Sequence, residues 1–208
     1  MKTSNFFPIF YVFLLTSCAT HQLTTNTATE SPPTDSAVQL RADPHQKIKA
    51  NTLSSWTISG AMAAKNNKNK GWSASLNWKQ FGLNNYQIRL SGPLGGGTVL
   101  INKSGGVVTY TDGPKKVSSA NADLLLLQQT GIQLPVNNLY YWVRGLPAPG
   151  KIESAHFDSH QNLSSLTQSG YTIDYAKYTT IGNFDLPVKI RLQGQGALIK
   201  LIIKHWSV

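Results

Sequence analysis

From residue 55 to the C terminus, apolar and polar side chains alternate one by one through nearly every segment, and this constrains the fold more than any other feature. Trp56, Ile58, Gly60 and Met62 alternate with Thr57, Ser59 and Ala61, and Trp72, Ala74, Leu76 and Trp78 repeat the pattern. Tyr86, Ile88 and Leu90 follow, then Val99 with Ile101, and Val108 with Tyr110. Beyond residue 150 the rhythm returns in residues 152–157 and 163–168, in Tyr171-Ile173-Tyr175, in Leu186-Val188-Ile190-Leu192, and from Leu198 to Trp206. A period of two places alternate side chains on opposite faces of a strand, so each segment offers one face to a core and one to water. The breaks at residues 65–70, 81–84, 104–106 and 194–196 hold Gly, Asn and Lys, as turns require. The pattern predicts a mainly β domain of about ten antiparallel strands.

One stretch, from Ser119 to Arg144, departs from that rhythm. Asn121 stands where a helix N-cap belongs, Leu124-Leu125-Leu126-Leu127 follow, and Gly131 comes where a helix ends. A second helical piece is expected from Val136 or Asn137 to about Arg144, between Pro135 and Gly145-Leu146-Pro147. Two short helices amid antiparallel strands cover one face of the sheet or its open end. Whether they enclose packed core or a cavity is left open by the pattern. Trp56, Trp72, Trp78, Trp142 and Trp206 serve either purpose.

The amino terminus has a different character. Lys2 supplies a positive charge, residues 6–15 are apolar, and Leu15-Thr16-Ser17-Cys18 follows. An apolar run of about ten residues is too short to span a bilayer and suits a cleaved signal peptide. Small residues directly before a cysteine suit lipoprotein processing, which leaves lipid on Cys18. Cys18 is the only cysteine in 208 residues, so it has no partner for an intramolecular disulfide. Residues 19 to 45 are rich in Thr, Ser, Asn, Ala and Pro, a composition that cannot bury enough apolar surface to fold. As a flexible coil they reach about 30 Å. The expected organisation is a signal peptide at 1–17, a lipidated cysteine and tether at 18–45, and a β domain at 46–208. That domain carries 14 Lys and 3 Arg against 6 acidic side chains. Export disfavours nucleic acid as the partner of this charge, leaving phospholipid head groups or an acidic face of another exported protein.

Ser91-Gly92-Pro93-Leu94-Gly95-Gly96-Gly97 forms a loop with one large side chain, Leu94. Spacing alone favours a leucine tucked against the core. A phosphate cradle is excluded because Thr98 and Val99 stand where a P-loop needs Lys and then Ser or Thr. Catalysis finds no constellation either. His156 and His160 fall in a strand and a turn, and the six acidic residues of the domain are scattered singly. No enzyme, metal or cofactor is expected.

Several motifs carry a resemblance: Trp56-Thr57-Ile58-Ser59-Gly60, Leu76-Asn77-Trp78, Ile88-Arg89-Leu90-Ser91-Gly92-Pro93-Leu94-Gly95, Gly131-Ile132-Gln133-Leu134-Pro135-Val136 and Leu139-Tyr140-Tyr141-Trp142-Val143-Arg144-Gly145-Leu146-Pro147. With Gln168-Ser169-Gly170-Tyr171 and Leu186-Pro187, they make the chain resemble the LolB family of outer-membrane lipoprotein receptors. The resemblance implies an unclosed antiparallel β-barrel of about eleven strands with a short α-helical lid over an apolar cavity. It implies that acylated lipoprotein cargo arrives from a periplasmic carrier of the LolA kind, enters the cavity, and passes to outer-membrane phospholipid without nucleotide. It also implies a monomer at the periplasmic face of the outer membrane, anchored through Cys18; Ala19, rather than aspartate, suits that destination. The family's membrane-insertion loop corresponds to Pro93, Leu94 and Gly95, which reverses the tucked reading of Leu94. Trp56, Trp78, Tyr86, Ile88, Leu90, Tyr110, Leu125, Trp142, Tyr175 and Ile190 are the expected lipid-binding cavity residues, since they lie on apolar faces or the lid. Tyr171 stands where the family commonly has Trp, and the glycine run after Leu94 is long. A scaffold lipoprotein with a closed core is the competing expectation.

Overall fold

The computed structural model describes residues 50–93 and 96–208. The signal peptide, Cys18, the whole tether, residues 46–49, Leu94 and Gly95 lie outside the described residues. Six strands come first: β1 (Ser55–Asn66), β2 (Gly71–Phe81), β3 (Asn85–Ser91), β4 (Thr98–Ser104), β5 (Val107–Asp112) and β6 (Lys115–Ser119). Two helices follow, α1 (Ala122–Thr130) and α2 (Val136–Trp142). Five more strands complete the chain: β7 (Ile152–Phe157), β8 (Leu163–Gln168), β9 (Tyr171–Ile181), β10 (Phe184–Gly194) and β11 (Ala197–Ser207).

All eleven strands form one antiparallel sheet in the order β6-β5-β4-β3-β2-β1-β11-β10-β9-β8-β7. The chain therefore makes two meanders, and pairing of β1 with β11 welds them together. β6 and β7 are the two edges, so the sheet does not close. The helices connect those same edges in sequence, and Ala122, Leu125, Leu126, Leu139 and Trp142 join the buried cluster of the strands' inward faces. The result is an unclosed antiparallel barrel with a helical lid.

The inward faces follow the alternation. In β1, Trp56, Ile58, Met62 and Ala64 are buried, and in β9, Tyr171, Ile173 and Tyr175 are buried. Register shifts in β1, in β10 and in the β7–β8 pair break the count. Register shifts between Ser59 and Gly60 against β11, where a β-carbon on Gly60 would lie 2.0 Å from the Ile202 carbonyl oxygen, so only glycine fits that approach. In β10 a shift around Pro187 leaves Leu186, Pro187 and Ile190 buried and Val188 half-buried, so Val188 is not a full member of the inward row. β6 was not visible in the alternation, because Val117 is its one large apolar residue.

The hairpins sort the sheet into two ends. The β1–β2, β3–β4, β5–β6, β8–β9 and β10–β11 turns lie at one end, and the β2–β3, β4–β5, β7–β8 and β9–β10 turns at the other. Ser55 pairs with Phe81, so β1 starts at the second end.

Candidate functional site

The ten residues expected to line a cavity are all buried, and all belong to one apolar cluster on the concave face and beneath the lid. They do not share one environment. Trp56 packs on Trp78 with ring centroids 4.9 Å apart and on Trp206 at 5.4 Å, and Trp78 meets Tyr86 edge-on at 6.4 Å. This aromatic group fills the concave face toward the second end. Trp142 packs on Tyr171 with centroids 5.7 Å apart. Ile88, Leu125, Tyr175 and Ile190 belong to the same packed interior.

Leu90 and Tyr110 instead line a cavity of about 320 Å³ at the first end. Its walls are Trp72, Ser73 and Ala74 of β2, Leu90 of β3, Val99 and Ile101 of β4, and Tyr110 and Asp112 of β5. Gln129 and Thr130 at the end of α1, with Leu134 beyond it, complete the enclosure, and Gly92 and Gly97 also border it. Gly97 and Asp112 are exposed, which places the mouth beside the β3–β4 loop. Gly92 N–H donates to the Gly97 carbonyl at 3.0 Å, closing the base of that loop.

Alternation makes Trp72, Ala74, Val99 and Ile101 inward positions of their strands but does not place them at the cavity. Strand alternation tells which face a residue takes, and says nothing of how far along the barrel the packing fails. Gln129, Thr130 and Leu134 gave no signal, since their place depends on how the lid docks.

Few polar groups enter this interior. Trp56 Nε1, the Tyr86 hydroxyl and Gln129 Oε1 are buried without a hydrogen-bond partner. Desolvation and the nearby Asp123 carboxylate raise the pKa of Tyr86, keeping its phenol neutral. The same two causes push Tyr171 up to about 12. Burial raises the Asp123 carboxyl above the ordinary carboxylate range, opposed by a hydrogen bond from Val136 N–H and by Lys103.

The lid is pinned by residues whose roles the sequence did not disclose. Gln168, fully buried in β8, accepts from Trp142 Nε1 at 2.9 Å and from Ala148 N–H at 2.9 Å, and donates to the Ala148 carbonyl at 2.7 Å. The Arg144 guanidinium is buried beyond α2 without a carboxylate partner among the described residues. It donates to the carbonyls of Tyr140, Ala50 and Leu53 and lies 4.0 Å from the Tyr140 ring centroid. Desolvation lowers its pKa, while the two neighbouring tyrosines act in the opposite direction.

An unclosed antiparallel barrel with an apolar, lidded and incompletely filled concave face is the structural class of this domain. The comparisons with known proteins specify the class further. Residues 54–206 match the family model described as outer membrane lipoprotein LolB, and the chain belongs to that family. A protein from Coxiella burnetii (strain RSA 493 / Nine Mile phase I) named outer-membrane lipoprotein LolB is 39% identical over 156 residues, covering 74% of this chain and 73% of the relative. One of the same name from Pseudomonas putida (strain W619) is 36% identical over 176 residues, covering 82% of this chain and 85% of the relative. Among solved structures, a LolA superfamily protein from Nitrosomonas europaea aligns with a TM-score of 0.49 and 13% identity, covering 78% of this chain and 91% of that one. Family membership gives the chain a role in outer-membrane lipoprotein localisation.

Proposed function

We propose that this chain is an outer-membrane receptor that takes the acyl chains of lipoproteins from a periplasmic carrier into its concave face and passes them to the outer membrane without nucleotide. The observation that carries this reading is the cavity of about 320 Å³, lined largely by apolar side chains and bordered by Gly92 and Gly97, the feet of the loop that holds Leu94. At roughly 0.8 kcal/mol per buried methylene, a lipidated cysteine cannot cross water at a useful rate and needs a continuous apolar route. The cavity is at the small end for ligand pockets, which run from about 300 to 1,000 Å³. Receiving more than one chain therefore requires α1 to move outward, since Gln129 and Thr130 form part of the wall.

In this reading the signal peptide is residues 1–17, lipid on Cys18 anchors the processed chain at the periplasmic face, and residues 18–45 are a tether. The working unit, residues 46–208, acts as a monomer. Leu94, with Pro93 and Gly95, enters the bilayer interface and opens a path for the leaving chains. Trp56, Trp78, Tyr86, Ile88, Leu125, Trp142, Tyr175 and Ile190 form the packed interior that chains displace or lie against, while Leu90 and Tyr110 touch them first. Transfer runs downhill from carrier to cavity to bilayer.

Leu94→Glu tests the reading. The variant is expected to accept a lipoprotein from a loaded carrier as the parent does, and to deliver it to liposomes at least several-fold more slowly. Equal delivery by both removes the role of Leu94. The packing of eight of the ten residues also suits a scaffold lipoprotein with a closed core. Native mass spectrometry with palmitate separates the two: a bound fatty acid displaced by Leu90→Trp supports the receptor, and a chain that takes up none supports the scaffold.

A further inference from the structure

Three consecutive hairpins, β1–β2, β3–β4 and β5–β6, turn at the end of the sheet where the cavity has its mouth. The middle connection is residues 92–97, two of whose glycines border the cavity. The tips on either side are basic. Lys68 and Lys70 lie on the β1–β2 turn, and Lys115 and Lys116 open β6 directly after the β5–β6 turn; all four are exposed. The tips are about 20 Å apart along the sheet, four strand spacings of roughly 4.8 Å each.

The first tip is braced. Asn66 Oδ1 accepts from the backbone N–H of Lys68 at 3.0 Å and of Lys70 at 3.1 Å, Asn66 N–H donates to the Lys70 carbonyl at 2.9 Å, and Asn69 N–H donates to the Asn66 carbonyl at 3.0 Å. Gly113, in the left-handed region at φ 56°, and Pro114 fix the second tip. These lysines are therefore presented from fixed backbone. Asp112 is the one carboxylate on the three hairpin tips, facing Lys115 in register, yet the one ion pair among the described residues is Arg191 with Asp174.

A general solubility role for lysine predicts cations at both ends of the sheet. At the opposite end, the turns at residues 82–84, 105–106, 158–162 and 182–183 and the strand residues directly flanking them contain no Lys or Arg; the nearest strand cations there are Lys103, half-buried, and Lys79. The cations that flank the cavity mouth are thus a local feature, and unpaired ammonium groups on fixed tips suit a planar array of negative charge. We propose that Lys68, Lys70, Lys115 and Lys116 form a head-group docking edge for anionic phospholipid, which sets the cavity mouth against the bilayer. This rests on the receptor reading above and adds the orientation of the domain on its membrane.

The test uses the processed chain from residue 18 onward with Cys18→Ser, so that neither leader nor lipid anchor contributes. Co-sedimentation is measured at low salt with vesicles of phosphatidylcholine alone and of phosphatidylcholine with one-third phosphatidylglycerol. The parent is expected to bind the phosphatidylglycerol vesicles about tenfold more tightly, as several lysines near an anionic surface act together. The combination K68Q, K70Q, K115Q and K116Q removes most of that preference. The combination K177Q, K189Q, K200Q and K204Q, which removes the same charge from exposed strand positions, changes binding about twofold or less. Equal losses in the two combinations, or no preference by the parent, overturn the proposal. Lipoprotein acceptance from a loaded carrier, measured without vesicles, checks the receptor reading separately. If the tip combination loses acceptance but keeps vesicle binding, the edge faces the carrier and the membrane assignment is overturned.

Discussion

The two lid helices are similar in length but are held by different physics. α2 is fastened by buried polar bonds: Trp142 Nε1 to Gln168, the Tyr175 hydroxyl to the Trp142 carbonyl at 3.0 Å, and Arg144 just beyond it to three backbone carbonyls. Breaking any of these leaves a polar group unsatisfied in an apolar interior. α1 presents four leucines in a row, of which Leu125 and Leu126 are buried while Leu124 and Leu127 are 49% and 41% exposed. Its polar ties are peripheral: Asn121 caps Leu124 N–H at 2.9 Å, Asp123 accepts from Val136 N–H at 3.2 Å, and Asn66 donates to the Gly131 carbonyl at 3.4 Å. The cavity borders α1 through Gln129 and Thr130 and is lined by no residue of α2. In the receptor reading proposed above, this contrast makes α2 the frame and α1 the gate.

The largest expected effect is that of Gln168→Ala. It leaves Trp142 Nε1 and both Ala148 backbone groups without partners, at roughly 1 to 3 kcal/mol for each unsatisfied group. A loss of about 3 kcal/mol or more in urea denaturation is expected. If Gln168→Ala costs no more than changes in α1, the division between frame and gate fails.

A smaller effect, about 1 kcal/mol or somewhat more, is expected for Asp123→Ala, which removes the acceptor that ties α1 to the start of α2. The charge of Asp123 gives a second handle. A raised carboxyl pKa means that the folded chain holds this proton more tightly than the unfolded chain. Its contribution is therefore most favourable below the ordinary carboxylate value of 3.8 and is lost as pH rises through the raised value. Asp123→Asn retains an oxygen for Val136 N–H without that ionisation, so its stability relative to the parent should rise between about pH 3 and pH 7. A stability difference that stays flat over that range would remove Asp123 as a pH-dependent tie.

The smallest expected change in stability is that of Asn121→Ala, about 1 kcal/mol for a lost N-cap. Its value lies in kinetics: loosening the start of α1 should speed the entry of a fluorescent fatty acid several-fold in stopped flow, whereas Gln168→Ala should not. Faster entry with Gln168→Ala alone would exchange the roles of the two helices.

Much of this was legible in the chain because it is local. Asn121 and Gly131 bound α1 as a cap and a left-handed residue should, with Gly131 at φ 67°. The second helix stops at Trp142, short of the expected Arg144, where a tighter turn begins and the Arg144 side chain reaches back to Ala50 and Leu53. The inward positions of Trp56, Trp78, Tyr86, Ile88, Leu90 and Tyr110 followed from period two, since nothing slips the register of β2 to β5. Near Gly60 and Pro187 the alternation fails, because bulges depend on the neighbouring strand.

The sequence by itself determined that strands would form, which face most of them would bury, where the lid would interrupt them, and that Cys18 and Leu94 stand in motifs resembling those of the lipoprotein family. Only the tertiary structure decided that β11 closes on β1, that the concave face is filled by tryptophans toward one end and left partly empty toward the other, that Gln168 meets Trp142, and that two basic hairpin tips flank the cavity mouth. The physical reason is range. Alternation and capping act over two to four residues along the chain, whereas a cavity is a shortfall of side-chain volume across a curved sheet, set by the register and curvature of strands far apart in sequence.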